Sequence, residues 1–168
     1  ESALAVFGEV AYPDARVELI TERAGCSRPA FYQYFSSKED VFWTLATELG
    51  EAMVALADRL EPVTPDEGGL GRLTAWIDDF MALHETWAPV FRVFPDATRG
   101  DRAQVSRSGS IAGHTAKALL NAFDLPRTAA NRRLVSSLVG VLIRCSFYAE
   151  AAPAGMSRRP LVLGLARF

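Results

Sequence analysis

The chain has 168 residues, 49% of them hydrophobic and 23% charged, and carries a formal net charge of −2. That composition is globular rather than disordered, and its slight acidity argues against a general polyanion binder. No apolar run approaches the roughly 18 residues that cross a membrane, and no basic-then-apolar leader opens the chain, so a cytoplasmic protein is expected.

Breaks rich in glycine, proline and small polar residues fall near 11–15, 25–27, 36–37, 62–71, 98–101, 124–127 and 152–155. Between them apolar residues recur at helical spacing and not in alternation, which predicts an all-α chain of about nine helices. The first helix is already under way at Glu1, with Leu4, Val6, Phe7 and Val10 as its apolar positions and no cap before them.

Val17, Ile20 and Ala24 form one face of a short second helix. Gly25 follows, where a left-handed residue stops a helix at little steric cost. Ser27 is a good N-cap for a third helix and Pro29 fits its first turn. Phe31 and Phe35, four apart, can face inward. Arg28, Tyr32, Gln33 and Tyr34 are then left outward. Helix, short turn, helix is the arrangement that lets the second helix of the pair enter a major groove. The outward set suits that groove: arginine can bridge guanine O6 and N7, and glutamine adenine N6 and N7. Tyrosine hydroxyls can donate to phosphates.

The stretch 16–38 carries Arg16, Arg23, Arg28 and Lys38 against Glu18 and Glu22, inside a segment 1–60 with ten acids and five bases. A small basic island thus sits in an acidic surround. Ser36 or Ser37 can cap the next helix, with Glu39 or Asp40 at the reciprocal position of a capping box. Lys38 falls in that helix's first turn, where a cation opposes the dipole, a placement that fits a phosphate bound there.

A long linking helix over about 38–60 comes next, with Leu45, Leu49, Ala52, Leu56 and Leu60 on one face. Beyond the loop 62–71, Leu73, Ile77, Phe80, Met81 and His84 mark a second face. Leu134, Val135, Leu138, Val141, Leu142 and Cys145 mark a third. Trp76, Phe80, Met81, His84, Trp87, Phe91 and Phe94, with His114, Phe147 and Tyr148, can line an apolar cavity holding a few polar groups. An ordinary core is the competing reading. The apolar surfaces of 131–150 and 161–168 must be covered, by intrachain packing or by an interface.

Little points to catalysis. Ser110 lies near His114, but there is no nucleophile elbow and no third partner. No phosphate-binding glycine loop is present. Cys26 and Cys145 read as reduced thiols, and no Cys or His cluster has metal spacing. Neither an enzyme nor a cofactor is expected.

The run from Leu4 to Val41 resembles the N-terminal signature of the tetracycline-repressor (TetR) family. Phe7, Tyr12, Val17, Ile20, Ala24, Gly25, Cys26, Ser27, Phe31, Tyr32, Phe35, Ser37, Lys38, Glu39 and Val41 stand at the matching places. The resemblance implies a three-helix helix-turn-helix DNA-binding domain over 1–44 and a helical-bundle ligand-binding and dimerisation domain over 45–168. It implies a repressor that binds double-stranded operator DNA as a homodimer and is released by a small hydrophobic effector.

Carried over by position, Tyr32 and Lys38 are phosphate contacts, and Arg28, Pro29, Ala30, Gln33 and Tyr34 read bases and line the groove beside Ser27. The family's usual threonine cap of the second helix is Ala15 here; Asp14 could cap if the helix starts earlier, and Arg16 could take the phosphate. Thr21 and Cys26 replace the usual alanine and valine. The dimer would form through the last two long helices, using Leu134, Leu138, Val141, Leu142, Cys145, Leu161 and Leu165. A helical-bundle enzyme acting on an apolar molecule, or a helical dimer with degenerate DNA binding, are the alternatives.

Overall fold

The computed structural model describes residues 1–97 and 102–150. In chain order they form α1 (Ser2–Glu9), a 3-10 turn (Tyr12–Asp14), α2 (Val17–Ala24), α3 (Arg28–Tyr32), α4 (Lys38–Asp58), α5 (Glu67–Ala97), α6 (Arg102–Ala122) and α7 (Ala129–Glu150). No strand occurs among the described residues, so the all-α expectation holds. The count of seven α-helices there is below the expected nine. Pro89 and Pro95, either of which could end a helix, instead lie inside the 31-residue α5.

The helices form two compact units. The first takes Glu1–Glu51 with Trp87–Val105, and the second takes Ala52–Thr86 with the chain from Ser106. The first unit is therefore larger than the leading 44 residues, because part of α5 belongs to it.

In the first unit α1 packs on α2 and α2 on α3, and α1 and the 3-10 turn meet the start of α4. Phe42 of α4 is fully buried. Its ring meets Phe7 of α1, Tyr12 of the 3-10 turn and Phe94 of α5 at centroid distances of 6.2, 5.7 and 6.2 Å. Gly8 allows α1 close to α5: a Cβ there would lie 3.2 Å from Pro89 Cγ.

The second unit has its own core. Leu56, Trp76, Ile77, Phe80 and Met81 pack with Leu119 and Leu120 of α6 and with Val135, Val139 and Leu142 of α7. The buried indole N–H of Trp76 donates to the Leu56 carbonyl at 2.9 Å, which satisfies its one polar group.

The α4–α5 loop is tied down by polar bonds. Asp66 caps α5, accepting from Gly69 N at 2.7 Å and from Thr64 Oγ1 at 2.9 Å. The Gly69 amide, then Thr64, hold its carboxyl below the usual carboxylate range. Arg72 donates to the Pro62 carbonyl at 2.8 Å, and Val63 N to the Ala122 carbonyl at 2.7 Å.

His84 on α5 is 1% exposed, and desolvation holds its pKa below the ordinary 6.5. The unfolded chain therefore takes up this proton at a higher pH than the folded one. Folding stability conferred at this residue is complete above about pH 6.5 and falls as pH drops below it. Thermal unfolding between about pH 7.5 and 5.5 is expected to show Tm falling with acid, and His84→Met to flatten part of that fall. An unchanged profile in the variant would exclude His84 as the source.

Candidate nucleic-acid interface

The α2–α3 module is built from local chemistry. Gly25 adopts φ +64°, ψ +29°, the left-handed conformation expected of it. Its N–H reaches the Glu22 carbonyl at 3.2 Å and the Cys26 N–H reaches Thr21 O at 3.0 Å, closing α2 with the paired bonds of a Schellman end. Ser27 Oγ then accepts from Ala30 N at 3.2 Å and starts α3, with Pro29 in its first turn. Phe31 is buried and stacks obliquely on Phe35, with centroids 5.6 Å apart.

With Phe31 turned inward, the opposite face is open. Arg28, Pro29, Tyr32, Gln33 and Tyr34 are exposed. Tyr32 and Tyr34 are 49% and 79% exposed, far more than aromatic rings need be in a packed helix pair. Helix α3 is short, and Gln33 stands at its C-cap with helical φ −72°, ψ −25°. Phe35 N still bonds the Phe31 carbonyl at 3.0 Å, so the turn carrying Gln33 and Tyr34 is hydrogen-bonded.

The start of α4 is capped as the sequence suggested. Ser37 Oγ accepts from Asp40 N at 3.2 Å. Asp40 reaches back one residue further than a standard capping box, accepting from Ser36 N at 2.8 Å. The start of α2 differs from expectation. The helix begins at Val17, Arg16 is its N-cap residue and makes no side-chain cap bond, and Asp14 closes the 3-10 turn instead. Ala15 is 1% exposed; no polar side chain would fit there without a partner.

The four cations of the island have different fates. Arg28 pairs with Glu18 at 2.6 Å, and Arg23 pairs with Glu9 through two bonds of 2.6 and 2.5 Å. Lys38, expected to face a phosphate, gives its Nζ to the carbonyls of Tyr12 and Pro13. Arg16 is exposed at the N-terminus of α2, and its side chain makes no hydrogen bond or ion pair with the described residues. Reading charges along the chain could not reveal these pairings, since each needs the fold to bring the partners together.

Residues 1–43 match the N-terminal segment of bacterial regulatory proteins of the tetR family. Residues 1–43 carry the tetR-family N-terminal module. The chain is also 30% identical to the HTH-type transcriptional repressor Rv1474c of Mycobacterium tuberculosis, over 68% of this chain and 59% of that protein. The match thus spans about 59% of the length of that curated relative.

The residues expected at an effector site are divided. Trp76, Phe80 and Met81 stand in the second unit's packed core, and His84 is also in that unit. Trp87, Phe91 and Phe94 belong to the first unit, where Phe94 stacks edge-on against Trp43 at 6.2 Å. His114 is half-exposed and its Nε2 lies 2.7 Å from Asp58 Oδ1. The side chains of Phe147 and Tyr148 lie outside the described residues. One open hollow of about 710 Å³ lies elsewhere in the second unit, lined by Val63, Pro65, Leu70, Leu73 and Phe123 together with Thr64, Asp66 and Glu67. Its lining comes from the α4–α5 loop, the first turns of α5 and Phe123 just past α6, segments that share no single periodicity a sequence could display.

Of the residues expected at a dimer interface, Leu134 and Val141 are 52% and 47% exposed, while Leu142 is buried in the core. Leu138 and Cys145 are half-buried. Helix α7 therefore has two apolar faces: Val135, Val139 and Leu142 inward, and Leu134, Leu138, Val141 and Cys145 on another side. Leu161 and Leu165 lie outside the described residues. Among those residues no helix is long and apolar enough to cross a membrane, and no group of His, Cys, Asp and Glu has metal-binding geometry.

Proposed function

We propose that this chain represses transcription by occupying operator DNA as a homodimer, with α3 in the major groove and a small apolar effector relieving the repression. The observation that carries the reading is the exposed face of α3 and the turn after it: Arg28 and Tyr32 project from a helix capped by Ser27 and entered through a left-handed Gly25, and Gln33 and Tyr34 from the hydrogen-bonded turn that follows. Tyr32 and Arg16 take phosphates, and Arg28, Gln33 and Tyr34 meet base edges, with Pro29 and Ala30 against the groove wall. The family match and the relative named a repressor support the same reading.

Homodimerisation draws support from the second apolar face of α7. Two exposed leucine and valine side chains on one helix, beside a half-buried leucine and cysteine, are what a two-fold interface covers. A dimer places two reading heads on half-sites about 34–36 Å apart or further. The effector would bind within the second unit and favour a dimer whose heads no longer match that spacing, so that effector and DNA oppose each other through a coupling free energy. Helices α4 and α5 supply residues to both units and are the elements through which such coupling would pass.

Selecting a binding site from a random duplex library with the wild-type chain, then repeating with Gln33→Ala, tests the assignment. One position of the selected site is expected to lose its base preference, at a cost of about 1–3 kcal/mol. Equal weakening on every sequence would remove Gln33 from the reading set.

A further inference from the structure

Lys38 occupies the first position of α4, where its charge opposes the helix dipole. Its side chain is half-buried. Nζ donates to Tyr12 O at 2.7 Å and to Pro13 O at 3.2 Å, and it lies 4.7 Å from the centroid of the Tyr12 ring. Charge-assisted bonds to two carbonyls and a cation–π contact converge on one ammonium. All three hold the 3-10 turn Tyr12–Asp14 to the start of α4.

That turn is fixed from its other side as well. The Tyr12 ring stacks against Phe7 and Phe42 at 5.7 Å each. Burial, then the nearby Glu39, push its phenol up to about 12, so it stays neutral. The chain leaves the turn through Ala15, which is 1% exposed, and arrives at Arg16, the N-cap residue of α2. Only Asp14 and the buried Ala15 separate the clamped Pro13 carbonyl from Arg16. The place at which Arg16 leaves the surface is therefore set by where Lys38 holds the turn.

We infer that Lys38 is a positioning residue, an internal tie from the N-terminus of α4 to the 3-10 turn that sets Arg16 and the first turn of α2 in place for DNA. An ammonium has three donors, and two of them are spent on carbonyls of the same module. The inference that Arg16 then meets a phosphate rests on the DNA-binding reading above; the tie itself does not.

Two arms separate these. In the DNA-free protein, hydrogen exchange is compared for wild type, Lys38→Met and Lys38→Arg. Lys38→Met is expected to speed exchange of the hydrogen-bonded amides of Asp14, Ala15, Leu19 and Ile20 by about tenfold while leaving those of α7 unchanged, and Lys38→Arg to restore most of the protection. On a duplex of about 30 base pairs selected by the wild type from a random library, binding is measured across salt concentrations for Lys38→Met, Arg16→Ala and the double variant. Arg16→Ala is expected to lower the salt slope by about 0.9 for each head, about 1.8 for the two heads of a dimer. Lys38→Met is expected to weaken binding, after which adding Arg16→Ala costs less than about twofold.

Unchanged exchange in Lys38→Met, with effects on DNA that add to those of Arg16→Ala, would overturn the tie and return Lys38 to a direct phosphate contact. If methionine unfolds the module, Lys38→Gln, which keeps a donor but no charge, takes its place in both arms. A wild type whose DNA binding ignores salt would sink the DNA-binding reading, while the exchange arm still decides the tie.

Discussion

Replacing Phe42 with alanine is expected to cost the first unit about 3–5 kcal/mol, the range for a large aromatic truncated in a packed core. The side chain is fully buried and touches rings from α1, the 3-10 turn and α5. The neighbouring helices cannot absorb the loss. Helices α1, α2 and α3 have eight, eight and five residues, well below the roughly 12–15 that give a helix marginal stability alone. They are held by tertiary packing, and Phe42 joins α1, on which α2 packs, to the 3-10 turn and α5. Chemical denaturation followed by far-UV circular dichroism measures the cost. Phe42→Leu, which keeps most of the volume, is expected to cost under about 1.5 kcal/mol. A Phe42→Ala protein as stable as wild type would contradict the placement of this ring at the centre of the module.

Gly69→Ala is expected to cost about 3 kcal/mol or more, at or above the upper end for overpacking. The reason is space, since a positive φ is not involved. A Cβ on Gly69 would lie 1.9 Å from the Thr64 carbonyl oxygen and 2.5 Å from the Thr64 amide nitrogen. Those are backbone atoms, and moving them disturbs the Asp66 cap and the Arg72 and Val63 bonds that pin the same loop. Gly71, two residues on in the same helix, is the control: an added Cβ there meets nothing within 4 Å. Gly71→Ala is expected to stabilise by about 0.5–1 kcal/mol, the ordinary gain from replacing an exposed helical glycine. Opposite signs for the two variants in thermal melts would support the close approach; equal effects would refute it.

The parts of the interface legible in the sequence are those decided within a few residues. Gly25 as a left-handed stop, Ser27 and Ser37 as caps and Phe31 as the inward ring follow from backbone chemistry that a local window contains. Parts needing the fold were not legible. Lys38 finds its carbonyl partners 25 and 26 residues back, and Arg23 finds Glu9 14 residues back. A basic island counted along the chain therefore overstated the charge available to DNA. Which residue precedes α2 as its cap was open for a similar reason: Ala15 is buried and Asp14 is used by the 3-10 turn, so the helix begins at Val17 with Arg16 before it.

The aromatic run of α5 shows a different limit. Spacing puts Trp76, Phe80, His84, Trp87, Phe91 and Phe94 on one long helix, but it cannot say what each ring faces. Trp76 and Phe80 fill a core, whereas Phe94 packs in the other unit because α5 serves both. Helix α7 is the reverse case. Its apolar residues were read as one face, and they divide into a buried set around Val135 and an exposed set around Leu134 and Val141.

The central claim is that α3 reads DNA from a face whose charge is mostly compensated within the protein. Binding of the wild-type chain to its selected duplex, measured from about 50 to 200 mM salt against an unrelated duplex of equal length, tests it most directly. The account predicts weakening with salt on both, with a slope set by the few uncompensated cations, and affinity for the selected duplex at least about 10³-fold above the unrelated one at every salt concentration. Equal, salt-independent affinity for the two duplexes would contradict it.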